Sequence, residues 1–291
     1  MPGCSASSSA KAYDSSFKAV SNLLGLELVE IPDWNCCGAN VVYSFDRKLA
    51  TFLVARNLAL AEKMGLDLVT TCSGCYQTHS RAAALLNENA ELKNEANSIL
   101  SPYNLRYDGK IRVKHALETI VKDVGLKKVS EKVSKPLKGL RIIPYYGCAV
   151  VRPKLPNSFD DPYNPVSLDR LIEALGGEAV YFTGKTRCCG GPLLLKKSEV
   201  AYEMAKQLLL KMKETGAHCA ITPCPFCHLT LEIMQPLIET TFNVEIDFPI
   251  LYFTQLMGLA FGFSAKKMGL NKHMVSAEGV LAQLEKEVAP V

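Results

Sequence analysis

Ten of the eleven cysteines fall into two sets written in the same order. The first is Cys4, Cys36-Cys37, Cys72 and Cys75; the second is Cys148, Cys188-Cys189, Cys224 and Cys227. Each set opens on Gly-Cys, continues through a Cys-Cys-Gly and ends on Cys-x-x-Cys, and only Cys219 stands outside. Thiolates are ligands for soft metals and for iron–sulfur clusters, the latter commonly in fours. Five per set is therefore one more than an ordinary cubane uses. A lone Cys-x-x-Cys is equally a zinc half-site or a redox dithiol, and two of them can in principle form one four-cysteine zinc site. That arrangement leaves the six other repeated cysteines without a role.

The adjacent cysteines carry the most information. Neighbouring side chains on an extended chain point to opposite faces, so Cys36 and Cys37, or Cys188 and Cys189, face one centre only if the backbone turns sharply. Gly38 and the pair Gly190-Gly191 permit that turn and a close approach to whatever is bound. A pair so close can place one sulfur between two irons. Cys219 lies in a β-prone run and reads as a buried structural thiol.

The surrounding pattern supplies the elements that hold these groups. Apolar spacing predicts helices over residues 15–24, 45–64 and 76–87, and strands over 26–31 and 66–71. The second half repeats the scheme, with helices over 168–175 and 198–215 and strands over 139–147, 178–183 and 219–222. Residues 110–118 likewise resemble residues 244–252. The offset is 144 residues at the first ligand and 152 at the other four, which one insertion of eight residues explains. Residues 152–165, with four prolines, are the place for it. No strand like that of residues 139–147 stands ahead of Cys4. Alternating strands and helices predict an α/β fold, two homologous cysteine-rich units with largely parallel sheets. The polar, lysine-rich residues 127–138 divide them into domains 1–137 and 138–291. In such sheets the loops after the strands meet in one crevice, and each cysteine group sits where a strand gives way. The Cys-x-x-Cys groups precede helices, whose first N–H groups favour thiolate charge.

At 291 residues, 48% of them hydrophobic, the chain has length and apolar content for two cores. A net charge of +4 supports no nucleic-acid reading. The start, Met-Pro-Gly-Cys-Ser, lacks the basic and apolar regions of a signal peptide, and reduced, clustered thiols fit a cytoplasmic setting. Residues 248–264 are the most apolar run, yet fall short of the ~20 residues a spanning helix needs. They are expected to form a buried or partner-facing helix, with no direct membrane span.

Taken together, the duplicated Gly-Cys, Cys-Cys-Gly and Cys-x-x-Cys groups resemble the cysteine-rich CCG domain family, most closely the B subunit of heterodisulfide reductase. Pro2-Gly3-Cys4-Ser5, residues 32–38, residues 55–62 and residues 252–256 extend the likeness over nearly the whole chain. The resemblance implies that each five-cysteine set binds a noncubane [4Fe-4S] cluster. The two clusters would face a pocket where a disulfide is cleaved or formed, by thiol/disulfide or sulfane-sulfur redox chemistry. It also implies a complex in which a C-subunit-like protein with cubane [4Fe-4S] clusters and a flavin-bearing A-subunit-like protein deliver electrons. No Gly-x-Gly-x-x-Gly occurs here, so a flavin or nucleotide belongs to a partner. Related CCG proteins accompany quinone-linked oxidations as electron relays, which is the competing reading. They usually carry an extra Cys-x-x-Cys-x-x-Cys module that is absent from this sequence.

Cations near the motifs, Lys185, Arg187, Arg152 and Lys154, are candidates to orient an anionic thiol substrate. His79 and His228 lie beside ligand positions and are expected mainly as helix-surface residues, and Trp34 as packing.

Overall fold

The computed structural model describes residues 1–39, 41–152 and 158–286; Lys154, one of the candidate cations, lies outside them. After Cys4 the chain enters α1 (Lys11–Leu23), whose apolar face buries Tyr13, Phe17 and Val20. A single turn, α2 (Val42–Phe45), follows the first cysteine pair and leads into α3 (Arg47–Lys63), started by Asp46, whose carboxylate accepts the Lys48 and Leu49 amides. Strand β1 (Leu68–Thr70) delivers Cys72 to the N-cap of α4 (Ser73–Glu88), and α5 (Ala90–Leu100) packs behind it. Strand β2 (Val113–His115) pairs in parallel with β1, then passes through α6 (Ala116–Glu118) and a wide helical turn to α7 (Leu126–Glu131).

The second half begins with β3 (Arg141–Pro144), followed by α8 (Ser167–Ala174), β4 (Glu178–Ala179), α9 (Ser198–Glu214) and β5 (Cys219–Thr222). Then come α10 (Pro225–His228), α11 (Gln235–Phe242), β6 (Ile250–Tyr252), α12 (Phe253–Ala260) and α13 (Glu278–Lys286). Its sheet is parallel throughout, in the order β4-β3-β5-β6. The fold is thus a duplicated α/β arrangement, as the repeat predicted.

Two expectations need correction. Residues 26–31 lie outside any ladder, because among the described residues no strand in the position of β3 runs beside them. Here β1 and β2 match β5 and β6, while residues 26–31 take the place of β4, and among the described residues β3 has no partner strand in the repeat. A groove of about 330 Å³ lies there, bordered by residues 27–31 and 66–69. At its end Met1 donates its amino group to the Val69 carbonyl at 2.8 Å. This matches the Tyr145 amide on the Ile221 carbonyl at 2.9 Å in the other half. The apolar run 248–264, expected as one helix, is instead strand β6 followed by α12, every residue of which is buried.

Helix α12 is buried by α1 of the opposite half, with Ser16 Oγ and Thr254 Oγ1 2.6 Å apart at the contact. In return, α8 of the second half packs on α6 and α7 of the first. The two halves exchange helices and share one core, into which Leu137 and Leu140, flanking the expected boundary, are fully buried. Among the described residues no helix is long and apolar enough to cross a membrane.

Candidate metal centre

Each set of five cysteines converges, and the order of contact is the same in both. In the first set Cys4 meets Cys36 at an Sγ–Sγ distance of 3.7 Å and Cys37 meets Cys75 at 3.3 Å, with Cys36 beside Cys37 and Cys72 beside Cys75. In the second set the sequence of neighbours is Cys148, Cys188, Cys189, Cys227, Cys224. All eleven cysteines are free thiols. Exposure repeats too: Cys37, Cys72, Cys75, Cys189, Cys224 and Cys227 are buried, whereas Cys4 and Cys36, and less so Cys148 and Cys188, face outward. Each site therefore has a closed floor and one open side.

The crowding fixes which sulfur carries charge. Hydrogen bonds from Cys37 and Cys4 hold Cys36 down at about 2, and those from Cys148 and Cys189 do the same for Cys188. Their donors are pushed up in turn, Cys37 and Cys189 to about 12, by giving a hydrogen bond to that thiolate. Cys224 is lowered to about 7, first by Cys227 and then by the amides of Cys227 and Phe226 at the start of α10. Five thiolates this close repel one another unless cations lie among them. The set fits such cations chemically: all donors are soft sulfur, most are buried, and the Gly190 and Gly191 amides donate to Cys188 and Cys189 Sγ at 3.4 Å.

The turns that aim the paired cysteines are built from glycine and from distant side chains. Gly190 has φ +86°, and a Cβ there would stand 2.8 Å from the Ala201 backbone; Gly38 has φ +65° in the matching turn. In the first half, Asn57 on α3 clamps Asn35, donating to its carbonyl at 2.8 Å and accepting its amide at 3.0 Å. His79 lies 3.3 Å from Asn57 and 2.8 Å from the Cys75 carbonyl. Arg56 donates to the Asp33 carbonyl and carboxylate. In the second half the Lys185 carbonyl accepts the amides of Tyr146 and Gly147, and Tyr145 Oη donates to the Arg187 carbonyl at 2.7 Å. These bonds bring Cys188 beside Cys148.

Several side chains sit differently from their sequence reading. His79 and His228 are buried, not on helix surfaces, because the helices that follow both Cys-x-x-Cys groups run through the interior. Burial lowers His79 to about 4, so it is neutral. Lys185 is also buried, its ammonium donating to the Pro165 carbonyl at 2.7 Å and to Asp169 at 3.4 Å. Arg187 is exposed one residue before the second pair, and Arg152 is exposed with its guanidinium on Thr186. Trp34 packs partly buried against the first-half core, and Cys219 is buried in β5. Asn57 was legible only as part of the Ala55-Arg56-Asn57 stretch, with nothing local to mark its role.

The two Cys-x-x-Cys loops abut. Ser73 Oγ donates to the Pro223 carbonyl at 3.2 Å, as does Tyr13 Oη, and Tyr13 stacks on Tyr252 at 4.3 Å. Tyr13 and Tyr252 are both buried beside this junction of the two loops. The family model of the CCG cysteine-rich domain matches residues 1–78 and 142–232, the segments that carry the two sets. The chain belongs to the CCG cysteine-rich family. It is 36% identical over 95% of its length, and 96% of the relative's, to the membrane anchor subunit of 8-methylmenaquinol:fumarate reductase from Wolinella succinogenes. It is 32% identical over 90% of its length, and 88% of the relative's, to the B subunit of a ferredoxin/F(420)H(2)-dependent CoB-CoM heterodisulfide reductase from Methanosarcina acetivorans. A heterodisulfide reductase B-subunit-like protein from Archaeoglobus profundus matches at 32% over 91% of both chains. A hypothetical protein from Helicobacter pylori shares the fold, with a TM-score of 0.75 at 18% identity; the match covers 92% of this chain and 49% of that one.

Proposed function

We propose that this CCG protein is the disulfide-handling iron–sulfur subunit of a heterodisulfide reductase-like complex. Each five-cysteine set would hold one noncubane [4Fe-4S] cluster, with Cys4, Cys36, Cys37, Cys72 and Cys75 as ligands in one half. Cys148, Cys188, Cys189, Cys224 and Cys227 serve in the other. The observation that carries this reading is the repeated geometry: two sets in the same contact order, adjacent through their Cys-x-x-Cys loops, each opening on its first cysteine and the first member of its pair. When bound, such clusters supply one electron each and a thiophilic metal for each sulfur of the reaction R–S–S–R′ + 2 e⁻ + 2 H⁺ → RSH + R′SH.

The chain's own residues bind, orient and screen. Gly38, Gly190 and Gly191 let backbone amides reach the ligand sulfurs, and the amide donors at Cys188 and Cys189 stabilise charge on sulfur. Asn57, His79, Tyr145 and Tyr146 fix the paired turns. Arg152 and Arg187 stand exposed beside the second site, where they can meet an anionic thiol. Lys185, with its ammonium held by Pro165 and Asp169, serves as a positioning residue. Electrons would arrive from a C-subunit-like cubane protein and a flavin-bearing A-subunit-like protein.

Anaerobic reconstitution with iron and sulfide, followed by addition of a disulfide to the reduced protein, tests the proposal. A thiol-dependent change in the paramagnetic spectrum supports it, and an unchanged spectrum at both clusters overturns it. The 36% identity to a component of a menaquinol-linked reductase favours a second reading, an electron relay that makes no bond to substrate. Quinol-driven reduction with no response to disulfide would select that reading.

A further inference from the structure

The second half carries a cluster of polar side chains without an equivalent in the first. His228 ends α10, Glu232 follows one turn later, and His273 comes from the loop after residues 270–272. Their ligand atoms lie within 4.8 Å of one another. His228 is 4% exposed and Glu232 0%. Both ring nitrogens of His228, Glu232 Oε2 and His273 Nδ1 have no hydrogen-bond partner. The nearest approaches, 3.7 Å from His228 Nδ1 to Glu232 Oε2 and 3.8 Å from His273 Nδ1 to Glu232 Oε1, are too long for hydrogen bonds. Leaving several buried polar atoms unpaired is unfavourable, and a shared partner among them removes that cost.

The surroundings prepare these atoms as ligands. Glu232 Oε1 accepts the Met274 and Val275 amides at 2.5 and 3.0 Å, which leaves Oε2 for the cluster. Gln255 is fixed by the Tyr252 amide and the Met268 carbonyl, and its Nε2 and Oε1 stand 3.0 and 3.2 Å from His273 Nε2. In the tautomer that donates from Nε2 to Gln255 Oε1, the Nδ1 lone pair faces Glu232, the outer-sphere support common to metal-bound imidazoles. His228 is held in plane by Tyr252, stacked at 4.1 Å.

We propose that His228, Glu232 and His273 bind a divalent cation, zinc foremost, in a three-ligand site with a fourth position for a water. Two imidazoles and a carboxylate are an established zinc donor set at about 2.0–2.2 Å, and the three ligand atoms already stand within 4.8 Å of one another. The duplication provides an internal control: at the 152-residue offset Tyr76 and Ser80 occupy the positions of His228 and Glu232, beside a complete cysteine set. The site is therefore separate from cysteine ligation. It would tie the segment around His273 to α10, which carries Cys227.

Protein isolated anaerobically with its iron and sulfide should be supplied with zinc, washed with a mild chelator and examined by elemental analysis and zinc-edge X-ray absorption. The expected result is about one retained zinc per chain with a nitrogen/oxygen shell near 2.0–2.1 Å. Glu232→Gln and His273→Gln should each weaken retention at least about tenfold, with iron and sulfide content unchanged. No retained zinc in the wild-type protein, unchanged retention in both variants, or a sulfur shell near 2.3 Å would overturn the assignment. Should the variants misfold, the absorption edge of the wild-type protein decides alone.

Discussion

Cys36 and Cys188 are the two thiols held lowest, and both lie on the open side of their sets. On the proposed ligation, replacing either by alanine removes one ligand of one cluster. Cys36→Ala or Cys188→Ala should therefore lower iron and acid-labile sulfide by roughly half, leaving the other cluster intact. Full iron content in these variants would contradict five-cysteine ligation. Gly190 is the backbone counterpart, because an alanine there meets both a left-handed φ and the Ala201 main chain. Gly190→Ala should destabilise the protein by at least about 2 kcal/mol, read as a lower urea midpoint.

At the scale of elements, the turns that carry the paired cysteines depend on side chains far away in sequence. Asn57→Ala strips the Asn35 amide and carbonyl of their partners and should cost about 1–3 kcal/mol by denaturant unfolding. His115 ends β2 and accepts the Leu117 amide on Nδ1 at 3.1 Å, a bond that a proton on that nitrogen abolishes. Burial pushes it from 6.5 down to about 3. The unfolded chain therefore takes up a proton that the folded chain refuses. The stability from this residue is complete above pH 6.5 and drains away as pH falls towards 3, at about 1.4 kcal/mol per tenfold difference in proton affinity. His115→Gln should flatten this acid limb in a series of unfolding curves across pH.

At the scale of the molecule, the exchange of helices makes the two halves one body. Tyr13, Phe17 and Val20 of α1 are buried with Phe253, Leu256 and Met257 of α12, and a buried side chain of this size contributes about 1.5–3 kcal/mol. Separating the halves would expose both faces. Fluorescence and far-ultraviolet circular dichroism should then report one coincident unfolding transition, and residues 1–137 expressed alone should fail to fold. Two resolved transitions would show that the shared core is weaker than its burial implies.

The types and spacing of ten cysteines, read along the chain, were enough to define the repeat, the α/β class and the two cysteine sets that the fold brings together. Ligand chemistry and helix or strand periodicity are local properties. The buried state of His79 and His228, the commitment of Lys185 to Asp169, and the unpaired course of residues 26–31 were settled only in three dimensions. Each depends on what another part of the chain places alongside: an interior path for a helix, a carboxylate on α8, or a neighbouring strand. The meeting of His273 with His228 and Glu232 belongs to the same class. More than forty residues separate them, and only the packing of the chain after α12 against the second cysteine loop brings them together.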